Sequence, residues 1–351
     1  MTSYRSRVRG CVLGGAIGDA LGGAIEFDTI ADIRARYGPA GLTGMAPDGA
    51  GLITDDTQMT LFTLEGLIRA ELRSATRGFA DTAEVVRSAY LRWLDTQLHP
   101  APPEPGGLHH RTGRLREQRW LYARRAPGNA CLSGLRAKPD RYGPLGEPGP
   151  VNRDSKGCGT VMRSAPFGLL GGSAREAFEL AAACAQITHG HPTGYYAAGA
   201  FAALVHYVAD NVSLYEAVHE TLRLLVSYPG HEETSTALRA ADELAAKGDP
   251  SPERVESLGG GWVAEEALAI AVYCALVHER DFPAALLLSV NHSGDSDSTG
   301  SMTGNLLGAA HGEDVLPAAW LGLLEGREPI TELAGDFAAR RSADPAKYPP
   351  G

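Results

Sequence analysis

The sequence predicts an all-α fold, and two observations carry that prediction. The chain of 351 residues contains 53 Ala and 43 Gly but only 8 Phe, a composition that favours helices packed closely through small side chains. Apolar residues recur at helical spacing, for example at Leu61, Leu64 and Ile68, whereas no segment shows a convincing strand-like alternation. We therefore expect helices to form the regular secondary structure.

The positions of the helices follow from apolar periodicity together with capping residues and helix breakers. These signals place helices at 5–23, 57–73, 81–97, 161–170, 173–187, 193–209, 213–227, 233–247, 262–280, 298–311 and 315–324. Residues 99–157 interrupt this pattern with a density of Pro and Gly that forbids long helices. We expect a single domain over residues 1–351, with the segment 99–157 as an irregular excursion from it.

Composition and charge exclude several classes of protein. With 44% hydrophobic and 21% charged residues, the chain has the composition of a globular domain and not that of a disordered or collagen-like one. The formal charge of -10 has the wrong sign for a protein whose surface follows nucleic-acid phosphates. No apolar stretch is long enough to span a membrane. The five cysteines form no C-x-x-C pair, so we expect the protein to lie in the reducing cytoplasm. We also expect a monomer.

The excursion has a charge opposite to that of the rest of the chain. It contains eleven Lys and Arg residues against five acids, namely Arg111, Arg114, Arg116, Arg119, Arg124, Arg125, Arg136, Lys138, Arg141, Arg153 and Lys156. Two interpretations are open. The segment meets an anionic ligand or partner, or it is a solvated loop whose arginines pair with the acidic body of the protein.

Two acidic clusters stand directly before predicted helices. The first contains Thr54, Asp55 and Asp56, and the second contains Asp295, Asp297 and Ser298. The simplest interpretation of each is an N-cap, because Thr, Ser and Asp accept hydrogen bonds from free backbone N–H groups at the positive end of a helix. Capping needs one acceptor for each helix, however, and these two clusters offer four carboxylates and two hydroxyls.

This surplus of oxygen ligands indicates a cation site. Carboxylates and hydroxyls with no His or Cys next to them in the sequence favour Mg²⁺, Mn²⁺ or Ca²⁺ over zinc. Four negative charges are neutralised by a pair of divalent ions. Two metal ions are therefore plausible from the residues alone.

Three further motifs each have a structural alternative. A glycine-rich run over residues 14–23, followed by Glu26, is also typical of a close contact between two helices. The loop from Gly157 to Thr160, before Met162, can offer backbone N–H groups to a diphosphate, although a lone Gly-x-Gly is weak evidence. His189 precedes another predicted helix and is either a ligand-contacting residue or a loop histidine.

Taken together and in this order, the motifs over residues 8–312 resemble those of the ADP-ribosylglycohydrolase family. The most specific are Thr54-Asp55-Asp56-Thr57 and Gly294-Asp295-Ser296-Asp297-Ser298, which look like the two metal-binding signatures of the family. The resemblance implies a compact all-α fold around a central cleft that holds two Mg²⁺ or Mn²⁺ ions.

The resemblance also implies roles for individual residues. The implied metal ligands are Thr54, Asp55, Asp56, Asp295, Asp297 and Ser298. The implied ligands of ADP-ribose are Gly157, Gly159, Thr160, Met162 and His189, and Glu26 falls where the family has a mobile acidic residue near the ions. Ser298 departs from the family pattern, in which Thr is commoner, but it retains the hydroxyl.

The expected reaction is hydrolysis of the glycosidic bond at C1 of the distal ribose, with Asp56, Asp297 or Glu26 as the general base. The expected substrate is an ADP-ribosylated protein side chain, in particular an arginine-linked one, or an ADP-ribosylated small molecule. The alternatives are a serine linkage, a protein that binds ADP-ribose without cleaving it, and a two-metal phosphoesterase that cleaves the diphosphate. Four convergent carboxylates argue against a protein that has lost catalysis, because their mutual repulsion without metal destabilises the fold.

Overall fold

The computed structural model describes residues 2–46, 51–137, 139 and 142–350. Across these residues the regular secondary structure is helical, apart from one isolated bridge between Gly157 and Val263, which confirms the all-α prediction. The helices are α1 (Tyr4–Gly22), α2 (Ile30–Tyr37), α3 (Asp55–Arg77), α4 (Thr82–Leu98), α5 (Asn129–Gly134), α6 (Ala165–Gly168), α7 (Ala174–Ala185), α8 (Pro192–Ala209), α9 (Leu214–Leu225), α10 (Glu232–Ala246), α11 (Pro252–Glu256), α12 (Ala264–Val277), α13 (Phe282–Val290), α14 (Ser296–His311), α15 (Ala318–Leu323) and α16 (Arg327–Ala338).

The prediction of a helix at 161–170 is wrong about the length of that helix. Residues 161–163 form a turn, and α6 spans only Ala165–Gly168. Pro166 explains the difference, because proline has no backbone N–H and its ring clashes with the preceding turn, so it is tolerated at the start of a helix and not in its interior. Gly171 and Gly172 then take positive φ values of 83° each, which ends the helical path.

Five helices were missed by the sequence prediction, namely α2, α5, α11, α13 and α16. Helix α13 shows the reason most clearly. Six of its nine residues are buried, so apolar side chains occupy nearly all of its faces and leave no amphipathic period to detect. The other four helices are short or follow loop segments, where periodicity is a weak signal.

Helices α1 and α14 pack against each other through glycine along their whole length. A Cβ atom added to Gly18 would lie 2.0 Å from the carbonyl oxygen of Gly300, and one added to Gly304 would lie 2.0 Å from that of Gly14. Gly14 contacts Gly304, whereas Gly18, four residues later in α1, contacts Gly300, four residues earlier in α14. The two helices are therefore antiparallel. The glycine-rich run is therefore a backbone-to-backbone helix contact, as the structural alternative predicted.

The excursion joins the same hydrophobic core as the helices. Leu121 and Cys131 are fully buried within that core. Several cations of the excursion pair with acids outside it, in the pairs Arg111–Asp95, Arg125–Glu325, Lys156–Glu233 and Lys156–Glu265, while Arg116 pairs with Glu117 inside it. The pairing with acids of the body thus agrees with the second interpretation, whereas the burial of Leu121 and Cys131 does not fit a fully solvated loop. Lys138 and Arg141 lie outside the described residues.

The helices of the described residues are not membrane spans, because none of them is both long enough and apolar enough to cross a bilayer. All five cysteines are free thiols, and four of them are buried. This agrees with the absence of any disulfide spacing in the sequence.

Candidate active site

The two acidic clusters meet in one cleft. Helix α3 begins at Asp55 and helix α14 begins at Ser296, and the packing of α1 against α14 brings the two N-termini together. The side chains lie around a cavity of about 230 Å³, and the predicted site residues in its lining are Glu26, Asp55, Asp56, Asp295, Asp297, Ser298, Gly157, Gly159, Met162 and His189. Residues that are far apart in the chain therefore share one surface.

The carboxylates have the geometry and the unmet bonding capacity of a cation site. One oxygen each from Glu26, Asp295 and Asp297 lies within 4.8 Å of the others. Oδ1 of Asp56 and Oδ2 of Asp295 are buried and have no hydrogen-bond partner. Buried anions without partners are strongly destabilising, and hard oxygen donors are the ligands that Mg²⁺, Mn²⁺ and Ca²⁺ prefer. The residues present therefore fit a divalent metal.

The metal-free cluster resists ionisation. Burial, followed by the charge of Asp297, raises the pKa of Asp55, Asp56 and Asp295 well above the ordinary value. The same two causes raise the pKa of Glu26 to about 9. In the absence of metal, protons thus take the place of a cation in neutralising the cluster.

We predict that the metal-free protein becomes less stable as the pH rises. Unfolded carboxyl groups titrate near pH ~4, while Glu26 in the folded protein titrates near a pKa of about 9. Between these values the folded protein binds more protons than the unfolded chain, so the free energy of unfolding falls with rising pH. Thermal unfolding in chelator from about pH 5 to about pH 8 should show a falling Tm.

Added Mg²⁺ or Mn²⁺ should raise the Tm more at the upper end of this range than at the lower end, because the ions bind ionised carboxylates of the folded state. A Tm in chelator that is constant or increases over the same range would contradict this account of the cluster.

Asp19 is a buried acid next to the cluster to which the sequence prediction gave no role. Its carboxylate accepts hydrogen bonds of 3.0 Å from the backbone N–H groups of Thr54 and Thr57. It thereby fixes the start of α3 against α1. Burial and the charge of Asp297 raise the pKa of Asp19 to about 7. The sequence feature that could have revealed this role is an acidic residue within the largely apolar sequence of α1.

Two of the predicted site residues, Thr54 and Thr160, are not among the residues that line this cavity, and Thr54 instead lines an adjoining cavity. The hydroxyl of Thr54 accepts a hydrogen bond of 3.3 Å from the backbone N–H of Asp56, so Thr54 also caps α3 as the simplest interpretation predicted. The hydroxyl of Thr160 donates to the carbonyl oxygen of Gly194 at 2.9 Å. Thr160 therefore braces the glycine loop from behind.

The glycine loop approaches His189 closely. A Cβ atom on Gly157 would lie 3.3 Å from Nε2 of His189, and one on Gly159 would lie 2.7 Å from Sγ of Cys131. The loop is held from the other side by a hydrogen bond of 3.1 Å from the N–H of Cys158 to the carbonyl oxygen of Trp262. Glycine at these two positions lets the loop form a tight cavity wall.

His189 is neutral and its tautomer follows from its partners. Burial, followed by the charge of Arg163, lowers the pKa of His189 to about 3. Arg163 donates to Oγ1 of Thr188 at 2.6 Å, and Oγ1 lies 2.8 Å from Nδ1 of His189. Because arginine can only donate, the hydroxyl of Thr188 can give its proton to Nδ1 at 2.8 Å or to the carbonyl oxygen of Ala185 at 3.5 Å, and the shorter contact favours Nδ1. We infer that Nε2 carries the proton of the imidazole and faces the glycine loop.

Cys158 and His189 lie in the cavity wall, although neither residue is next to the acidic clusters in the sequence. Burial, followed by the charges of Asp295 and Asp56, raises the pKa of Cys158 well above its ordinary value. Cys158 is therefore a neutral thiol in the metal-free protein, and Nδ1 of His189 is engaged with Thr188. The buried side-chain donors without a partner among the described residues that line the cavity are carboxylate oxygens, on Asp56 and Asp295, and such oxygens favour a hard divalent cation.

This combination defines a class of protein: an all-helical protein that gathers carboxylates from two helix N-termini into one buried cluster whose chemistry fits divalent cations. The ADP-ribosylglycohydrolase family model matches residues 1–346. The chain belongs to the ADP-ribosylglycohydrolase family and is an enzyme of the glycosidic-bond hydrolase type.

Three curated relatives are similar to the chain over nearly its whole length. ADP-ribosyl-[dinitrogen reductase] glycohydrolase of Rhodospirillum rubrum is 26% identical over 332 residues, which is 92% of each chain. The mouse ADP-ribosylhydrolase ARH3 is 26% identical over 94% of this chain and 90% of its own. ADP-ribosylarginine hydrolase Tri1 of Pseudomonas putida is 24% identical over 95% of this chain and 78% of its own.

A solved structure supports the fold. A chain described as part of an ADP-ribosylglycohydrolase-related protein complex superposes with a TM-score of 0.62 and 24% identity. The match covers 97% of this chain and 100% of that chain. The helical architecture is thus that of a known fold.

Proposed function

We propose that this enzyme is a metal-dependent hydrolase that removes ADP-ribose from modified arginine side chains. The observation that carries the metal dependence is the pair of buried carboxylate oxygens, on Asp56 and Asp295, that have no partner. The proposed ligands of two Mg²⁺ or Mn²⁺ ions are Thr54, Asp55, Asp56, Asp295, Asp297 and Ser298. When bound, the ions supply Lewis acidity and lower the pKa of water.

The residues of the chain then position the substrate and move a proton. The loop at Gly157 and Gly159, with Met162 and His189, binds ADP-ribose, and the Nε2–H of His189 is available as a donor to it. Binding of ADP-ribose by these residues holds C1 of the distal ribose against the carboxylates. This position favours the oxocarbenium-like transition state of glycoside hydrolysis. Asp56, Asp297 or Glu26 accepts the proton of the attacking water.

Two arguments support the arginine linkage. The relative from Pseudomonas putida is an ADP-ribosylarginine hydrolase by name. The leaving group of such a substrate is a guanidinium, and the net charge of -10 attracts a cationic peptide. The ARH3 relatives, whose names specify no linkage, leave the serine linkage as the outcome to be tested against it.

We predict a higher kcat/KM for an arginine-linked than for a serine-linked ADP-ribosyl peptide of otherwise identical sequence. Both peptides should be assayed with the same Mg²⁺-loaded enzyme at low and at high salt. The electrostatic part of the preference should weaken at high salt, because salt screens exposed charges. Equal rates, or faster cleavage of the serine linkage, would refute the arginine assignment and leave the glycohydrolase activity standing.

A further inference from the structure

A second cavity adjoins the catalytic cavity at Glu26. It measures about 360 Å³, and its walls include Phe27, Arg36, Tyr37 and Arg125. Glu26 and Ala126 line both this cavity and the catalytic cavity. Two cavities therefore meet at Glu26 of the acidic cluster. In the proposed function, ADP-ribose occupies the one that the glycine loop lines.

We propose that this second cavity is the subsite for the leaving group and that Phe27 recognises a planar cationic side chain there. The inference rests on the proposed function, because it assigns the glycine-loop side to ADP-ribose. The bond that is cleaved joins ADP-ribose to its acceptor, so the acceptor side chain has to extend from the carboxylates in another direction. The cavity that adjoins the catalytic cavity at Glu26 offers that direction.

Two arginines line this cavity, and both are already paired with a carboxylate. Arg36 lies 2.9 Å from Asp28, and Arg125 lies 2.5 Å from Glu325. Each guanidinium is thus balanced by its own carboxylate. Glu26 is the one carboxyl group among the described lining residues, and it stands where this cavity meets the catalytic cavity.

Two exposed aromatic side chains stand at the boundary between the two cavities. The rings of Phe27 and Trp262 stack with 5.9 Å between their centroids and 17° between their planes. Phe27 is 74% exposed and Trp262 is 44% exposed, and Trp262 lines the catalytic cavity. The hydrophobic core does not require either ring in this position, whereas an aromatic face attracts a flat guanidinium by cation–π contact and stacking.

Phe27 is a better candidate for this contact than Tyr37. The guanidinium of Arg36 already lies over the ring of Tyr37, 5.6 Å from its centroid. The wall of the cavity thus accommodates a guanidinium on an aromatic ring within the protein itself. The ring of Phe27 presents its exposed surface to an incoming ligand.

The experiment titrates agmatine, a free guanidinium compound with an alkyl chain, into Mg²⁺-loaded enzyme that is saturated with ADP-ribose. Calorimetry should detect agmatine binding to the wild-type enzyme. Phe27→Ala should weaken it by about fivefold to thirtyfold, as the loss of a partly desolvated cation–π contact predicts. Phe27→Trp should retain it, because tryptophan offers the stronger cation–π surface.

The matched control is Phe79→Ala, because Phe79 is 73% exposed and lines neither of these two cavities. This variant should bind agmatine as the wild type does. All variants should keep the wild-type affinity for ADP-ribose and the wild-type Tm, which a merely structural role of Phe27 would not allow.

The outcomes separate this inference from the proposed function. Absence of agmatine binding to the wild type, unchanged binding in Phe27→Ala, or an equal loss of ADP-ribose affinity in that variant would each overturn the leaving-group subsite, even if arginine-linked substrate is hydrolysed. Agmatine binding that depends on Phe27, in an enzyme that releases no ADP-ribose from modified arginine, would support the subsite and refute the proposed function.

Discussion

Replacing Asp297 with Asn is expected to lower kcat/KM by at least about 100-fold, the lower limit of what a positioned acid or base contributes, while raising the Tm of the metal-free enzyme. Asp297 is the charge that acts most strongly on Asp55, Asp56 and Asp295, after the effect of burial itself. Its neutralisation removes repulsion from the metal-free fold and removes a metal ligand from the loaded enzyme.

Asparagine preserves the local structure at this position. Oδ1 of Asp297 accepts a hydrogen bond of 2.9 Å from the N–H of Ser298, and the amide oxygen of Asn can accept the same bond. The helical circular dichroism should therefore be unchanged. The measurement pairs steady-state kinetics in Mg²⁺ with thermal unfolding in chelator.

The control for this prediction is Asp314→Asn, because Asp314 is an exposed acid and does not line the catalytic cavity. It should change neither the rate nor the Tm appreciably. Wild-type activity in Asp297→Asn, or a lower Tm in chelator, would show that the carboxylate cluster is not the metal-binding machinery.

The second large effect is expected at the glycine contact between α1 and α14. Gly304→Ala places a Cβ atom 2.0 Å from the carbonyl oxygen of Gly14, and neither helix backbone can move without displacing an acidic cluster. Overpacking of this kind costs roughly 1–3 kcal/mol or more. We expect the midpoint of urea unfolding to fall accordingly and the affinity for Mg²⁺ to fall with it.

Gly322→Ala is the matched control, because Gly322 also lies in a helix and a Cβ atom added to it has no neighbour within 4 Å. Alanine at an open helical position should stabilise the protein by up to about 1 kcal/mol. If Gly304→Ala were as stable as the wild type and bound Mg²⁺ equally well, close packing of the two helices would not be what holds the site together.

The acidic clusters could be predicted from the sequence because they exceed what helix capping requires. Thr54 and Asp295 each precede a helix in the structure, and Asp55, Asp56 and Asp297 add three carboxylates in the first turns, more than one acceptor for each helix. The glycine run was equally informative, because residues spaced four apart lie on one helical face.

The stacked pair of aromatic rings between the two cavities could not be predicted in the same way. Phe27 and Trp262 are far apart in the sequence, and their rings come into contact only in the folded chain. Asp19 was missed for a different reason. Its role depends on two backbone N–H groups of another helix, and no side-chain pattern reveals those groups.

We propose that metal held by the carboxylate cluster drives cleavage of the glycosidic bond. The most direct measurement is the identity of the product released from a protein carrying ADP-ribosylated arginine, with Mg²⁺ and after chelation. The account predicts intact ADP-ribose and unmodified arginine in Mg²⁺, and no release after chelation. Release of AMP, or release of ADP-ribose at an equal rate in chelator, would contradict it.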